Sequence, residues 1–255
     1  MKDPGTTAGH RAVRAAAHVH SEWSDDGSWS LHRIARTFSR TGHDVVLMSE
    51  HSRGFSAAKW REYADACQEA STDRLLLVPG IEYGDEDDVV HIPVWGQIPF
   101  FGEATPIARL LPEATAAGGT AMWAHPWRRD AWRRFEPAWL DHLTAVEVWN
   151  RKYDGIAPSR SALALARREG IAAAVALDFH TRRQIFPLAL KLDVAGEVTV
   201  PAVYAALSAG RFAPRAFGLP LGPLVRGPGG ATLQALEAAR RAARRTARRT
   251  LPTGH

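Results

Sequence analysis

The chain has 255 residues, 45% of them hydrophobic, enough for one large domain or two small ones with a substantial core. No apolar run reaches the roughly 18–20 residues that span a bilayer. The N-terminus MKDPGTTAGHRAVR lacks an apolar signal core, and the single cysteine, Cys67, excludes an intramolecular disulfide. These features point to a soluble cytoplasmic protein with Cys67 as a buried filler. The net charge of +5 is local. Residues 231–255 hold six arginines against Glu237 alone, leaving 26 of the 32 basic and 26 of the 27 acidic residues elsewhere. A neutral body argues against a long polyanion groove.

In chain order, β-like runs at 15–20, 44–51, 75–82, 89–96, 120–125, 145–150, 172–178 and 188–194 alternate with amphipathic stretches. SLHRIARTFSRTG (30–42) puts Leu31, Ile34, Ala35 and Phe38 on one helical face and ends at Gly42, and SRSALALARREG (159–170) also stops at a glycine. The alternation predicts a parallel α/β architecture, with a hairpin or a short irregular connection between 75–82 and 89–96, which only a DEDD-rich turn separates. From 212 the texture changes. FAPRAFGLPLGPLVRGPGG reads as an irregular Pro/Gly linker, and ATLQALEAARRAARRTARRT as a helix with one basic stripe. The expected division is a body over 1–212 and a linker with a basic helix or tail over 213–255. The stripe is expected to be solvated, with nucleic acid as a less favoured partner.

Six of the eleven histidines fall at a strand end or inside a strand: His18, His20, His51, His91, His125 and His180. Glu82 and Asp178 join them. In an α/β barrel, strand ends converge on one rim, and imidazoles with carboxylates there make a site for Zn, Mn or Fe. On an extended strand residues i and i+2 face one side, so His18-x-His20 and Asp178-x-His180 each aim two ligands at one place. A carboxylate such as Glu82 can bridge two ions with its two oxygens. His10, His32, His142 and His255 are expected to be bystanders, His43 a turn residue and the DEDD at 85–88 an acidic turn.

With these motifs the chain resembles the PHP (polymerase and histidinol phosphatase) family of metal-dependent phosphoesterases. The resemblance rests on His18-Val-His20-Ser-Glu-Trp-Ser24-Asp25, Ser49-Glu50-His51, Gly80-Ile-Glu82, Ala124-His125-Pro126 and Asp178-Phe-His180, and covers about residues 14–195. It implies a distorted (β/α)7 TIM-like barrel holding two to three divalent ions. His18, His20, Glu82 and Asp178 would hold the first ion, Glu82, His91 and His125 the second, and Asp25, His51 and His180 the third. His18, His20, Asp178 and His180 are then the catalytic set. The chain departs from the family pattern in its doubled Asp25-Asp26, either of which can be the ligand, Asp25 being favoured by spacing, and in Glu50, where the family carries aspartate. The related amidohydrolase pattern also opens with H-x-H, but uses a strand-end lysine that no strand end here supplies.

The activity implied is hydrolysis of a small phosphorylated molecule, a phosphomonoester or nucleotide-type phosphodiester, by metal-activated hydroxide. Arginines follow three of the motifs, and a guanidinium fork matches phosphate oxygens. Arg53, Arg128, Arg129, Arg182 and Arg183 are therefore candidates for the phosphate clamp, with Arg53 and Arg183 first, and Lys152 and Asn150 weaker. Trp127 is a candidate for stacking on a base or aromatic leaving group. The alternatives are a nuclease of the same family acting on nucleic-acid ends, and a non-catalytic module stabilised by its metals.

Overall fold

The computed structural model describes residues 9–250, and side chains as far as 247. Residues 1–8 and 251–255, with His255, lie outside the described residues, as do the side chains of Arg248 and Arg249. Among the described residues there are twelve strands: β1 (His10–Val19), β2 (Val45–Met48), β3 (Glu50–His51), β4 (Leu76–Val78), β5 (Gly80–Gly84), β6 (His91–Trp95), β7 (Thr120–Trp123), β8 (Leu143–Asn150), β9 (Ala172–Ala176), β10 (Leu188–Ala195), β11 (Phe212–Ala216) and β12 (Leu219–Pro220). The α-helices are α1 (Leu31–Arg40), α2 (Ala57–Ala70), α3 (Ile107–Ala116), α4 (Arg160–Glu169), α5 (Val200–Ser208), α6 (Leu221–Arg226) and α7 (Pro228–Thr250).

Local chemistry sets the helix ends. Ser30, Ser56, Ser159 and Thr199 each accept a hydrogen bond from the backbone N–H three residues on, relieving one orphan donor of α1, α2, α4 and α5. Gly170 closes α4 at φ 68, a backbone region that glycine enters without steric cost. Cys67 is buried on α2, as expected.

The strands form two mixed sheets, ordered β12-β11-β10-β1-β2-β4 and β3-β5-β6-β7-β8-β9. Five of the ten described pairings are parallel; β10 runs antiparallel to β1 and β11, β11 to β12, and β6 to both β5 and β7, the β5–β6 step being a hairpin. The reversal has a functional effect. His91 is the first residue of β6, so it emerges at the same end as the last residues of β5 and β7, opposite Gly84 and beside Ala124. The two sheets meet twice. Backbone bonds run from Leu177 N to Ala17 O, from Phe179 N to His18 O and from His20 N to Phe179 O, and β2 passes into β3 through Ser49.

Gly80 makes the second junction close. Trp95 Nε1 donates to Met48 O at 2.7 Å, and a Cβ on residue 80 would land on the Trp95 indole and 2.6 Å from Met48 O. Gly80→Ala should therefore cost about 2 kcal/mol, lowering the melting temperature by roughly 4–8 °C in thermal denaturation.

The segment read as irregular linker is ordered differently. Residues 212–216 form β11, paired with β10 from Leu188↔Ala216 to Leu192↔Phe212, and 221–226 form α6. Pro214 fits within the strand because proline is tolerated where the ladder does not need its N–H. The following helix is docked on the body. Glu237, its lone acid, is buried and pairs with Arg240 and Arg241, so two of the stripe's arginines are committed within the protein. No helix among the described residues is long and apolar enough to cross a membrane.

Candidate metal centre

Strand ends bring the candidate ligands together as anticipated. His18 and His20 leave β1, His51 ends β3, Glu82 lies in β5, His91 opens β6, His125 follows β7, and Asp178 and His180 follow β9. All of them but half-buried His51 are buried. Glu82 is the hub. Its Oε1 stands 3.0 Å from His18 Nε2, 3.0 Å from His91 Nδ1 and 3.4 Å from His125 Nε2, and its Oε2 3.5 Å from His20 Nε2 and 3.1 Å from His51 Nδ1. Asp178 closes the other side, with Oδ1 3.9 Å from both His18 and His20 and Oδ2 3.6 Å from His125. Of the candidate ligands, Asp26, His51, Glu82, His91, His125 and Asp178 line a cleft of about 410 Å³.

The doubled aspartate resolves in favour of Asp26. Its oxygens stand 3.3 Å from His51 Nε2 and 2.9 Å from His180 Nε2, whereas Asp25 turns away and pairs with Arg53 at 3.0 Å. Spacing from His20 favoured Asp25. The loop decides otherwise, because it is folded onto Glu50. Ser21 N–H and Oγ donate to that carboxylate, and Ser24 Oγ donates to it at 2.5 Å. Glu50 thus organises the loop that presents Asp26.

The residues fit divalent cations. His18 Nδ1 lies 2.7 Å from Glu147 Oε1, so it carries the proton, and its Nε2 faces Glu82. Ser24 Oγ spends its hydrogen on Glu50 and can only accept from His20 Nδ1, which turns His20 Nε2 the same way. His18 Nε2, His20 Nε2, His91 Nδ1 and Glu82 Oε1 are buried, close together and aligned for no hydrogen bond. Each such group ordinarily costs about 1–3 kcal/mol, which ligation of a cation removes. Four sets keep their ligand atoms within 4.8 Å of one another: His20, Asp26, His51 and His180; His18, Glu82 and His125; His18, His20 and Asp178; His51, Glu82 and His91. That spread suits metal–ligand bonds of about 2.0–2.2 Å.

Contacts within the cluster govern its protonation. Burial alone would lower His18, but Glu82, Glu147 and Asp178 outweigh it and hold the ring well above the ordinary imidazole range. Burial, with His180 and His51 alongside, holds His20 well below that range. His51 is pushed up to about 10, since Asp26 and Glu82 overcome its burial. Glu82 is kept strongly acidic against its burial by His18 and His91. Imidazolium here is the proton's answer to the same negative potential that a divalent ion would meet, so binding ions should release protons.

Several contributors stand out only in three dimensions. Glu147 sits in the otherwise apolar AVEVWN run, and a carboxylate inside a buried strand was the available signal. His18 Nδ1–H donates to one of its oxygens, and His125 N–H and Asn150 Nδ2 donate to the other. Glutamine cannot accept at both atoms, so Glu147→Gln should weaken metal affinity by about 10- to 100-fold in competition with a chelator. Lys152, a weaker candidate, lies two residues past β8 and reaches the cluster. Its Nζ is 3.3 Å from Asp178 Oδ1 and 3.2 Å from His180 Nε2, and its pKa is raised, Asp178 overcoming burial. Tyr153 lies over His125, with ring centroids 4.8 Å apart, and its hydroxyl accepts from Arg128 Nε.

Of the arginine candidates, Arg53 and Arg128 line the cleft, paired with the half-exposed Asp25 and Asp88 respectively. Arg129 also binds Asp88, from outside. Asp88 further reaches His91 Nε2 at 2.7 Å, so the acidic turn brackets the site. Arg182 and Arg183 project from a short 3-10 turn and do not line this cleft. His43 is a buried turn residue bonded to Thr41 Oγ1, and His10 pairs with Asp193 at the surface.

No protein-family model matches the chain, and no curated protein does. Among solved structures it is similar to PsfC from Pseudomonas syringae PB-5123, with a TM-score of 0.59 and 15% identity over 91% of this chain and 99% of that one. A second likeness, TM-score 0.49 and 17% identity over 77% of this chain and 96% of the other, is to a "putative metal-dependent phosphoesterase" from Bifidobacterium adolescentis ATCC 15703. At these identities the first likeness establishes a shared fold: mixed α/β, with two mixed sheets.

Proposed function

We propose that the protein is a metal-dependent phosphoesterase acting on a small phosphorylated molecule. The observation that carries this reading is the convergence of six imidazoles and three carboxylates on one cleft with cationic side chains at its mouth. His18, His20, Glu82 and Asp178 would hold one ion, Glu82 with His91 and His125 a second, and Asp26, His51 and His180 a third. Two to three ions of Zn, Mn or Fe would lower the pKa of attacking water and offset charge on the phosphoryl group. The protein's own contribution is orientation and charge. Glu147 and Ser24 fix the imidazole tautomers. Lys152 stands where a phosphoryl oxygen would meet it, held by Asp178. Arg53 and Arg128 are held at the mouth by exposed carboxylates, pairings that an incoming phosphate can replace.

The same reading takes the architecture as a distorted seven-stave barrel. Its staves are β1, β2–β3, β4–β5, β6, β7, β8 and β9, and support comes from the bonds that tie 177–179 to 17–20. A nucleic-acid substrate is disfavoured because Arg240 and Arg241 are spent on Glu237. The test is elemental analysis of purified protein followed by a phosphomonoester and phosphodiester panel under each metal. Two or three ions per chain with turnover of a small ester support the proposal. Well-folded, metal-loaded protein inert toward every ester would refute it.

A further inference from the structure

Beside the metal cleft opens a second one of about 770 Å³, and Arg128 and Tyr153 line both. Its walls are the loop after β8, the start of α4 and the first half of α7. This part of the surface is built rather than incidental. Gln234 Nε2 donates to Pro158 O at 2.7 Å, Ile156 N donates to Glu237 Oε2 at 3.1 Å, and Arg241 Nη2 donates to Asp154 O at 3.2 Å. Gly155, at φ 80, leaves room for that clamp, since a Cβ there would come within 2.8 Å of Glu237 Oε1. The wall is therefore set before any ligand arrives.

The lining is cationic in effect. Arg128, Arg129, Arg160 and Arg241 line it against the two carboxylates Asp154 and Glu237, with Arg128 and Arg129 also paired to Asp88. Glu237 is consumed by Arg240 and Arg241, and Asp154 Oδ2 accepts from Asn150 N at 2.7 Å. Exposed Arg160 has no ion pair among the described residues. Trp127, stacked on Trp132 with ring planes 14° apart, adds an apolar surface.

We infer that this second cleft receives the leaving-group side of the phosphoester, and that it selects a leaving group bearing a second anionic group, a phosphate or a carboxylate. The inference rests on the phosphoesterase reading of the neighbouring cleft. An ester held with its phosphate among the metal ligands has its alcohol portion free to extend past the Arg128–Tyr153 border. There Arg160 offers an uncommitted guanidinium that matches either anion.

A length series tests it on the metal-loaded full chain, using n-alkyl phosphates, ω-carboxyalkyl phosphates and alkanediol bisphosphates. The second anionic group should raise kcat/KM by about tenfold or more at a preferred chain length, mainly through KM, which is about 1.4 kcal/mol of added binding. Whether carboxylate or phosphate gives the larger gain identifies the anion. Arg160→Met should erase the gain while leaving the n-alkyl phosphates within about twofold. Equal kcat/KM across the three series, or an equal loss on all of them in Arg160→Met, overturns the inference. Calorimetric titration with an alkane bisphosphonate, which is not hydrolysed, separates the two proposals. If no ester turns over but the bisphosphonate binds the natural chain about tenfold more tightly than Arg160→Met, the subsite stands and the esterase reading falls. Binding that Arg160→Met leaves unchanged overturns the subsite.

Discussion

Glu82→Gln should abolish most metal binding and lower esterase turnover by about 10³-fold, while the protein stays folded. The reason is positional. Glu82 is the carboxylate that stands within 3.5 Å of His18, His20, His51, His91 and His125. Glutamine keeps the shape but replaces one anionic oxygen with an NH2 that points hydrogens at imidazole lone pairs. The change therefore removes bridging capacity and also the anion that His18 and His91 face in the metal-free chain. Glu82→Gln should consequently be no more heat-stable than the chelator-stripped natural chain, and less stable than the metal-loaded one, because a carboxylate held below its ordinary pKa stabilises the native state and so does ligand binding. Elemental analysis, turnover and melting of the three samples check this. Full metal content in Glu82→Gln would show that Glu82 is not the bridge.

The second large effect concerns Asp154, outside the metal cluster. Burial, reinforced by Glu147 and Glu237 nearby, pushes its carboxyl up to about 7 against the bond it accepts from Asn150 N. A raised folded pKa means that its contribution to stability is full below the unfolded value near 4. The contribution is lost as pH rises through 7. Asp154→Asn retains an oxygen for the Asn150 N–H and never ionises. Denaturant unfolding should find it equal to the natural chain near pH 4 and more stable by about 3 kcal/mol at pH 8. Equal stability at pH 8 would place the true pKa of Asp154 in the ordinary range. Because Asp154 lies in the clamp between the β8 loop and α7, the same variant should also firm up that loop at alkaline pH.

Much of the site was legible because strand ends are local properties. His18-x-His20 and Asp178-x-His180 converge since each pair sits at the same end of its strand, although His18 and Asp178, at φ 61° and 47°, leave the extended backbone on which residues i and i+2 face one side. The choice between Asp25 and Asp26 was not local. It depends on the Ser21–Ser24 turn wrapping around Glu50, 26 to 29 residues away in the chain. Lys152 was weighed as a weak candidate, and only the course of the chain after Asn150 shows how closely its amine approaches Asp178. The C-terminal segment misled for a different reason. Prolines and glycines signal breaks, but Pro214 sits in β11 beyond the two residues that pair with β12, and the arginine stripe concealed Glu237, the acid that helps dock the helix. A buried acid among exposed bases is a tertiary fact, invisible to composition.

Three of the candidate ligands share one peculiarity. His18, His125 and Asp178 hold φ angles of 61°, 26° and 47°, a region where non-glycine residues carry about 1–3 kcal/mol of strain each. With the crowding of like groups around Glu82, the centre is the part of the fold where the chain is least comfortable. An engineering campaign that selected only for heat resistance would erode it first, since glycine at any of these three positions relieves strain and removes a ligand in the same step. Persistence of histidine and aspartate there through such a campaign would require selection on activity as well as on folding.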